Sequence, residues 1–179
     1  GFSSIYGVLQ AMEDAGKVRR GHFCEGLTGA QFAFPGAVDR LRKVRRPGDE
    51  HHVRFLAAVD PANPWGTLLP WPVTTGDART AARSGPRRVA GASVVLVNGA
   101  PVLYLAKGGK RLLTFPAADE DDNLTLALTV LPGAVRTSTR RALTVETIDG
   151  QPARDSRRTE ALLEAGFVLD YRGLTLEDN

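Results

Sequence analysis

The segment from Leu56 to Pro72, LAAVDPANPWGTLLPWP, restricts the fold more than any other part of the chain. It contains four prolines. Each proline favours extended geometry in the residue before it, so no helix can run through the segment. Both tryptophans of the chain, Trp65 and Trp71, also lie here. A rigid aromatic loop of this kind either seals a hydrophobic core, which we favour, or presents a platform or an interface at the surface.

The composition is that of an ordinary globular domain, with 42% hydrophobic residues and a mean hydropathy of −0.16. The one cysteine, Cys24, permits no internal disulfide, which is typical of a reducing compartment. The longest apolar runs, such as Ser93–Val97, are far shorter than the ~20 residues of a membrane-spanning helix. These features predict a cytoplasmic protein without a membrane partner.

Positive charge is concentrated near the start of the chain. Residues 17–46 contain eight basic and two acidic residues, a balance of +6, so the remainder carries −3 of the total of +3. A basic segment beside a nearly balanced body favours a surface that binds a polyanion such as DNA. A solvated surface in an arginine-rich protein is the plainer alternative. The candidate DNA-binding residues are Lys17, Arg19, Arg20, His22, Arg42, Lys43, Arg45 and Arg46.

The first part of the chain predicts a helix followed by a hairpin. Apolar residues recur at helical spacing from Ile5 to Met12, with Ser3 and Ser4 as candidate N-caps and Gly16 as the end. The hairpin spans Lys17–Phe34 and has two glycines in its loop. A helix that leads directly into a basic hairpin is typical of the end of a winged helix. Since the earlier helices of such a domain are missing, we expect a fragment of a longer protein.

The remaining residues predict a β-barrel-like antiparallel module with flanking helices. Strands are expected at 53–59, 90–97, 102–106, 111–115, 141–148, 167–170 and 173–176, and helices after the acidic run at 119–122 and at 157–165. The dipeptide Asn98-Gly99 is a strong signal for a two-residue hairpin turn. The predicted fold class is therefore α+β. Residues 1–46 form the end of a winged helix, and residues 47–179 form the terminal module.

The sequence lacks the common motifs for nucleotide and metal binding. A phosphate-binding loop of the type G-x-x-x-x-G-K-[ST] fails, because Tyr104 and Arg111 stand where glycine and a hydroxyl residue are needed. The three histidines and Cys24 lack the paired spacing of a zinc site. We therefore predict no metal and no cofactor in this chain.

Two stretches, GFSSIYGVLQAMEDAGKVRRGHFCEGLTGAQFAFPGAVDRLR and LAAVDPANPWGTLLPWP, resemble the C-terminal region of the bacterial large helicase-related proteins, Lhr. Later segments such as ALTVETIDG and LLEAGFVLDYRGLTL also fit, so the resemblance covers nearly the whole chain. It implies part of an ATP-dependent 3′–5′ DNA repair helicase in the bacterial cytoplasm, associated with the nucleoid. ATP and magnesium would bind in motor domains outside this chain.

A weaker resemblance is to the AlkZ-type DNA glycosylases, which also combine winged helices with a β-barrel. Their catalytic motif, Gln-x-Gln or Gln-x-Asp, aligns near Leu105–Lys107, where this sequence has neither residue. Base excision requires a carboxylate or amide that positions a water molecule. Asp60 in the rigid loop is the candidate catalytic replacement. Its other interpretation, which we favour, is an Asx-turn cap before Pro61.

The primary hypothesis is a DNA-binding and interaction module of a repair helicase, with single-stranded or tailed duplex DNA as its partner. The first rival hypothesis is a base-excision glycosylase module in which Asp60 is catalytic. The second rival is an oligomerisation module, in which Trp65 and Trp71 lie at a contact between subunits of a homo-oligomer.

Overall fold

The computed structural model describes residues 1–44, 51–75, 85–137 and 141–177. Contacts within the chain divide it into two units, Gly1–Glu50 and His51–Asn179. Each unit is described by itself below. None of the helices in the described ranges has the length and apolar character that crossing a membrane requires.

The first unit consists of a helix, a hairpin and a second helix. Helix α1 (Phe2–Asp14) is followed by strands β1 (Arg19–Gly21) and β2 (Gln31–Ala33), which pair antiparallel, and by helix α2 (Pro35–Val44). This order confirms the predicted helix and wing. Among the described residues of this unit, the apolar side chains that are almost completely buried are those of Val18 and Val38.

Helix α1 begins earlier than predicted, so the prediction of serine N-caps is wrong. The helix starts at Phe2, which places Ser3 and Ser4 inside its first turn. The Ser4 hydroxyl donates a hydrogen bond to the carbonyl oxygen of Gly1 at 2.6 Å. The Ser4 amide donates to the same carbonyl oxygen at 3.1 Å, so this serine supports the first turn from inside the helix.

Gly16 before the hairpin and Pro35 after it mark the boundaries of the two helices. Gly16 ends α1 with a φ of +68°, and the Lys17 amide donates to the carbonyl oxygen of Met12 at 2.8 Å. This confirms the predicted end of the helix. Pro35 directly follows the predicted hairpin and begins α2. Proline suits a first helical position because it lacks an amide that would be unpaired.

The described residues of the second unit form two sheets. Its strands are β3 (Val53–Ala57), β4 (Ser93–Val97), β5 (Ala100–Leu105), β6 (Arg111–Thr114), β7 (Ala142–Val145), β8 (Thr147–Ile148), β9 (Gln151–Pro152), β10 (Val168–Asp170) and β11 (Gly173–Glu177). The larger sheet has the order β3-β4-β5-β6-β8-β9 and the smaller one has the order β10-β11-β7. All pairs are antiparallel except β6 with β8. The α+β class is confirmed, whereas the sheets formed by the described residues are open and do not close into a barrel.

Three helices among the described residues pack against these sheets. Helix α3 (Asn123–Leu128) contacts β4 and β5 of the larger sheet and confirms the helix predicted after the acidic run. Helices α4 (Leu131–Thr137) and α5 (Thr159–Glu164) contact β11 of the smaller sheet. Successive side chains of a strand point to opposite faces of the sheet. Leu103 and Leu105 accordingly join the main core with the helices, while Tyr104 joins a smaller cluster that includes Phe115.

The segment predicted as one strand at 141–148 is divided between the two sheets. The chain leaves β7 after Val145 and enters β8 at Thr147, and the intervening Glu146 belongs to neither strand. The carbonyl oxygen of Lys110 accepts hydrogen bonds from the amides of Glu146 (2.7 Å) and Thr147 (3.1 Å). This contact bends the chain, which alternating hydrophobicity alone could not reveal.

Two dipeptide turns have the backbone that their sequences require. Asn98 and Gly99 have φ values of 51° and 87°, and Asp149 and Gly150 have φ values of 52° and 84°. Two successive residues with positive φ form a tight hairpin turn whose twist matches the flanking strands. The turn predicted at Asn98-Gly99 is therefore confirmed, and Asp149-Gly150 forms a second turn of the same kind.

Candidate nucleic-acid interface

The two arginines of strand β1 lie in different environments. Because successive residues of a strand point to opposite faces, Arg19 and Arg20 project from opposite sides of the hairpin. The Arg20 side chain lies against α1, where its Nε is 3.4 Å from Glu13 Oε2 and its Nη1 donates to the Tyr6 hydroxyl at 3.4 Å. Arg19 is exposed, with Lys17 and His22 exposed nearby.

Arg20 therefore connects the wing to α1. The hydrogen bond with the Tyr6 hydroxyl, and then the charge of Glu13, raise the pKa of the Arg20 guanidinium above its usual value. The Tyr6 ring packs edge-on against Phe32, with ring centroids 5.9 Å apart. Much of the charge of Arg20 is thus used inside the unit, so Arg19 has more freedom to contact an external phosphate.

The loop at the tip of the wing is held by the side chain of Gln31. Its Oε1 accepts hydrogen bonds from the amides of Phe23 (2.8 Å) and Cys24 (2.9 Å). Its Nε2 donates to the carbonyl oxygens of Cys24 (3.1 Å) and Leu27 (3.0 Å). One neutral amide therefore orders a loop that carries two glycines. This role of Gln31 was not predictable, because nothing in the local pattern distinguishes the residue from an ordinary strand glutamine.

The other candidate DNA-binding residues lie at the end of α2. Arg42 forms an exposed ion pair with Asp39, with a separation of 3.6 Å between Nη1 and Oδ1, and Lys43 is exposed. Arg45 and Arg46 lie outside the described residues. In the described part of this unit, the exposed cations thus come from the wing and from the second helix.

The proline-rich loop of the second unit is held by two polar side chains. Asn63 is buried, and its Nδ2 donates to the carbonyl oxygen of Ala58 at 2.9 Å. Arg88 donates from Nη1 to the Asn63 carbonyl oxygen at 2.7 Å and from Nη2 to the Asp60 carbonyl oxygen at 2.9 Å. It also approaches the carbonyl oxygens of Val59 (3.3 Å) and Trp65 (3.5 Å). Nothing in the local sequence around Arg88 predicts this contact.

The two tryptophans have separate structural roles. Trp71 stacks on Phe115 with ring centroids 5.8 Å apart and meets Tyr104 edge-on at 5.7 Å, so it closes the smaller core cluster. Trp65 is half-buried and donates from Nε1 to the carbonyl oxygen of Gly99 at 3.2 Å. Gly66 has a φ of +81°, and a Cβ at this position would collide with the indole of Trp71.

Asp60 closes an Asx turn within this loop. Its Oδ1 accepts a hydrogen bond from the amide of Ala62 at 2.8 Å. The interpretation of this residue as a turn cap before Pro61 accordingly has a direct structural basis. The carboxylate is half-buried, and its proposed catalytic role stays a prediction.

The second unit also contains a cavity of about 740 Å³. Its walls are mostly apolar and include Leu105, Leu131 and Leu143, while the exposed Lys107 and Lys110 lie at its edge. Lys110 Nζ is 2.8 Å from Glu146 Oε1. A cavity of this size is within the usual range for small-molecule sites. It lies beside the stretch 105–107 that aligns with the glycosylase motif, and Asp60 is not among its lining residues.

The carboxylate of Asp149, which was not among the predicted site residues, holds a turn to the neighbouring strand β6. In the hairpin turn it accepts hydrogen bonds at Oδ1 from the Thr114 amide and at Oδ2 from the Thr114 hydroxyl, both at 2.7 Å. The Thr75 hydroxyl also donates to its Oδ2 at 3.2 Å. Within the described ranges, no group of three or more histidine, cysteine or acidic side chains could hold a metal ion.

Helix α1, the basic hairpin and helix α2 define the class of the first unit as a winged-helix domain, and an α+β module follows it. Residues 1–53 match the family model described as "Large helicase-related protein, winged-helix domain". Over 98% of its length the chain is 44% identical to "Lhr helicase/ probable uracil glycosylase" of Mycolicibacterium smegmatis, and over 97% it is 39% identical to "Lhr helicase/uracil glycosylase" of Escherichia coli. These matches confirm the resemblance and place the chain with the Lhr family.

The chain spans only a small part of these relatives. It matches 12% of the length of the Mycolicibacterium smegmatis protein and 11% of the length of the Escherichia coli protein. The correspondence is therefore with one region of a much longer type of protein.

Proposed function

We propose that this chain is a DNA-binding module of an Lhr-type helicase, and that its wing contacts the phosphate backbone. The observation that supports this proposal most directly is the exposed cationic hairpin in a unit that matches the family's winged-helix domain. Phosphate contacts from arginine and lysine position a protein on DNA without reading its sequence. The partner is single-stranded or tailed duplex DNA, and the ATPase motor of the longer protein supplies the movement.

The basic residues of the wing contribute unequally to this binding. Arg19, Lys17 and His22 are exposed, whereas Arg20 is tied to Glu13 and Tyr6. A cation that already has an acidic partner gains less from a phosphate than a free one, because the existing ion pair must be given up. Arg19 is therefore assigned the main phosphate contact, and Arg20 the role of holding the hairpin on α1.

The test is fluorescence anisotropy with a labelled tailed duplex at several salt concentrations. We expect Arg19→Ala to weaken binding and to reduce the slope of log K against log salt by about 0.7 to 0.9, the value for one lost phosphate contact. Arg136→Ala is the matched control, since Arg136 is an exposed arginine of the second unit and its loss changes the net charge equally. An equal loss of DNA affinity in both variants would show that only net charge matters, and it would contradict the assignment of the contact to the wing.

A second candidate function is base excision from uracil-containing DNA, favoured by the apolar cavity near Leu105–Lys107. The printed names of both relatives include uracil glycosylase. An enzyme of this kind holds an extruded base in a closely fitting pocket, and the cavity has apolar walls with Lys107 at its edge. Water attacks the sugar carbon, the bond to the base breaks, and the base leaves with a proton.

The assay for base excision is cleavage of uracil-containing single-stranded DNA after alkali treatment. We expect the chain to produce alkali-labile sites and Ala142→Phe to abolish them, because Ala142 lines the cavity and the larger ring fills it. Val73→Phe is the control, since Val73 is 80% exposed and does not line the cavity. Asp60→Asn tests the separate prediction that this carboxylate positions the water. Absence of labile sites with the folded wild-type chain would exclude this function for the chain alone.

A further inference from the structure

The turn between β10 and β11 presents an aromatic ring to solvent. Tyr171 lies at this turn and is 76% exposed. The neighbouring Leu169 and Val168, on the edge strand of the three-stranded sheet, are 53% and 67% exposed. An exposed aromatic residue at the tip of a hairpin contributes nothing to the core, so its position needs another explanation.

The turn is fixed by several contacts. Arg154 donates from Nη2 to the carbonyl oxygen of Tyr171 at 3.0 Å and approaches that of Asp170 at 3.4 Å. The Tyr171 amide donates to Oδ1 of Asp170 at 2.6 Å. Gly173 packs so closely on β7 that a Cβ would collide with the carbonyl oxygen of Val145. The backbone that carries the ring is therefore held in place before any partner arrives.

The ring is also placed among cationic groups. The guanidinium of Arg172 lies 5.0 Å from the centroid of the Tyr171 ring, within the range of a cation–π contact. Arg154, which holds the turn, is exposed as well. Because Arg172 covers one face of the ring and most of the residue stays exposed, the opposite face is available to a flat ligand.

We propose that Tyr171 and Arg172 form a stacking site for a base of single-stranded nucleic acid, with Arg172 and Arg154 next to its phosphates. Sites that bind single strands combine aromatic rings with a positively charged surface, and every base has a face that can stack. The two arginines outnumber the acidic residue next to the ring, Asp170, which favours a polyanion over a second protein chain. The proposal rests on the proposed DNA-binding function and names a second contact, separate from the wing.

The test uses the whole chain and a labelled oligo-dT strand in fluorescence anisotropy. We expect Tyr171→Ala to weaken binding about tenfold, the loss typical of one stacked base. Tyr171→Phe keeps the ring and should bind within about twofold of the wild type. Tyr171→Leu is the matched control for apolar area, and it should behave like the alanine variant because it lacks a planar face. Tryptophan fluorescence during urea unfolding verifies that the variants are folded.

The outcomes separate this site from the wing. Weaker binding by Tyr171→Ala with unchanged binding by Arg19→Ala supports the stacking site and removes the wing contact. Unchanged binding by Tyr171→Ala overturns the stacking site, whatever Arg19→Ala does. A wild-type chain that binds no oligonucleotide overturns both proposals. If Tyr171→Ala changes only the self-association of the chain in gel filtration, the surface is a protein contact and the stacking site is rejected.

Discussion

Polar side chains hold both the wing loop of the first unit and the proline-rich loop of the second, but Gln31 of the wing is close in sequence to its partners, whereas Arg88 is distant from those it holds. Gln31 bonds backbone groups four to eight residues away. Arg88 reaches carbonyl oxygens that precede it by 23 to 29 residues. The wing loop can therefore form from local sequence alone, whereas the proline-rich loop requires the second unit to be folded around it.

The two loops also differ in what lies beneath them. Among the described residues of the first unit, Val18 and Val38 are the apolar residues that are almost completely buried. In the second unit, Trp71 connects the loop to a cluster that contains Tyr104 and Phe115. Rigid loops can thus have different roles: the wing loop orders the tip of a hairpin whose cations are exposed, and the proline-rich loop uses its polar groups internally to close a core.

The largest effect is expected from Arg88→Ala. Four carbonyl oxygens lose a charged donor, and hydrogen bonds to charged groups contribute about 1.5 to 3 kcal/mol each, less where water can replace the donor. Since Arg88 is only half-buried, we expect the free energy of unfolding of the second unit to fall by about 2 kcal/mol. Urea unfolding followed by tryptophan fluorescence measures this unit specifically, because Trp65 and Trp71 are the only tryptophans of the chain.

Arg87→Ala provides the matched control for this measurement. The adjacent residue, Arg87, is exposed, and it contacts the Tyr104 hydroxyl through its backbone amide and carbonyl, which the substitution keeps. Its replacement should change stability by less than about 0.5 kcal/mol. A similar loss in both variants would show that Arg88 acts through net charge, and the contrast between the two loops would lose its basis.

A smaller effect is expected from Gln31→Ala in the first unit. The amides of Phe23 and Cys24 lose their acceptor, at a cost of about 1 to 2 kcal/mol because water can partly replace it at this exposed loop. Hydrogen exchange of these two amides is the measurement, and both should exchange at least tenfold faster. Gln10→Ala, an exposed glutamine of α1, is the control. Unchanged exchange in Gln31→Ala would mean that the wing loop is ordered by something other than this side chain.

Sequence reasoning succeeded where structure is decided by neighbouring residues. The turn at Asn98-Gly99 and the end of α1 at Gly16 depend on backbone conformations that those residues favour, so both were predictable. It failed where a contact links distant residues. The carbonyl of Lys110 bends the chain at Glu146, and an arginine reaches back to hold the proline-rich loop, with no local signal in either case.

The same limit applies to the candidate sites. The basic wing was predictable from composition and order, because a helix followed by a charged hairpin is a local pattern. The distinction between Arg19 and Arg20 was not, since it depends on Glu13 and Tyr6 of the preceding helix. Nor could the sequence indicate that Tyr171 is exposed on a fixed turn, because a tyrosine between short strands is equally compatible with burial.

The smallest effect is expected from an ion pair of the second unit. Its arginine is buried, unlike the arginine of the ion pair in the first unit. Asp119 Oδ1 lies 2.6 Å from Nη2 of Arg158, whose side chain is 10% exposed, and Asp119 Oδ2 lies 3.1 Å from Nη2 of Arg157. The pair Arg42–Asp39 of the first unit is instead exposed on both sides. Burial, the largest single influence, raises the pKa of Asp119, but hydrogen bonds and charges from Arg158 and Arg157 outweigh it and lower the pKa overall.

A lowered pKa in the folded state means that the carboxylate stabilises the protein above its unfolded pKa of about 3.9, and that this contribution is lost as pH falls through the folded value. Because the Asp119 side chain is 42% exposed, solvent screening limits the contribution to less than about 1 kcal/mol. Urea unfolding between pH 6 and about pH 3, monitored by tryptophan fluorescence, should show a shallower acid loss in Asp119→Asn than in the wild type. Glu120→Gln, at the exposed neighbouring position, should keep the wild-type dependence. If Asp119→Asn has the same acid profile as the wild type, the pair with Arg158 contributes no more to stability than the exposed pair of the first unit does.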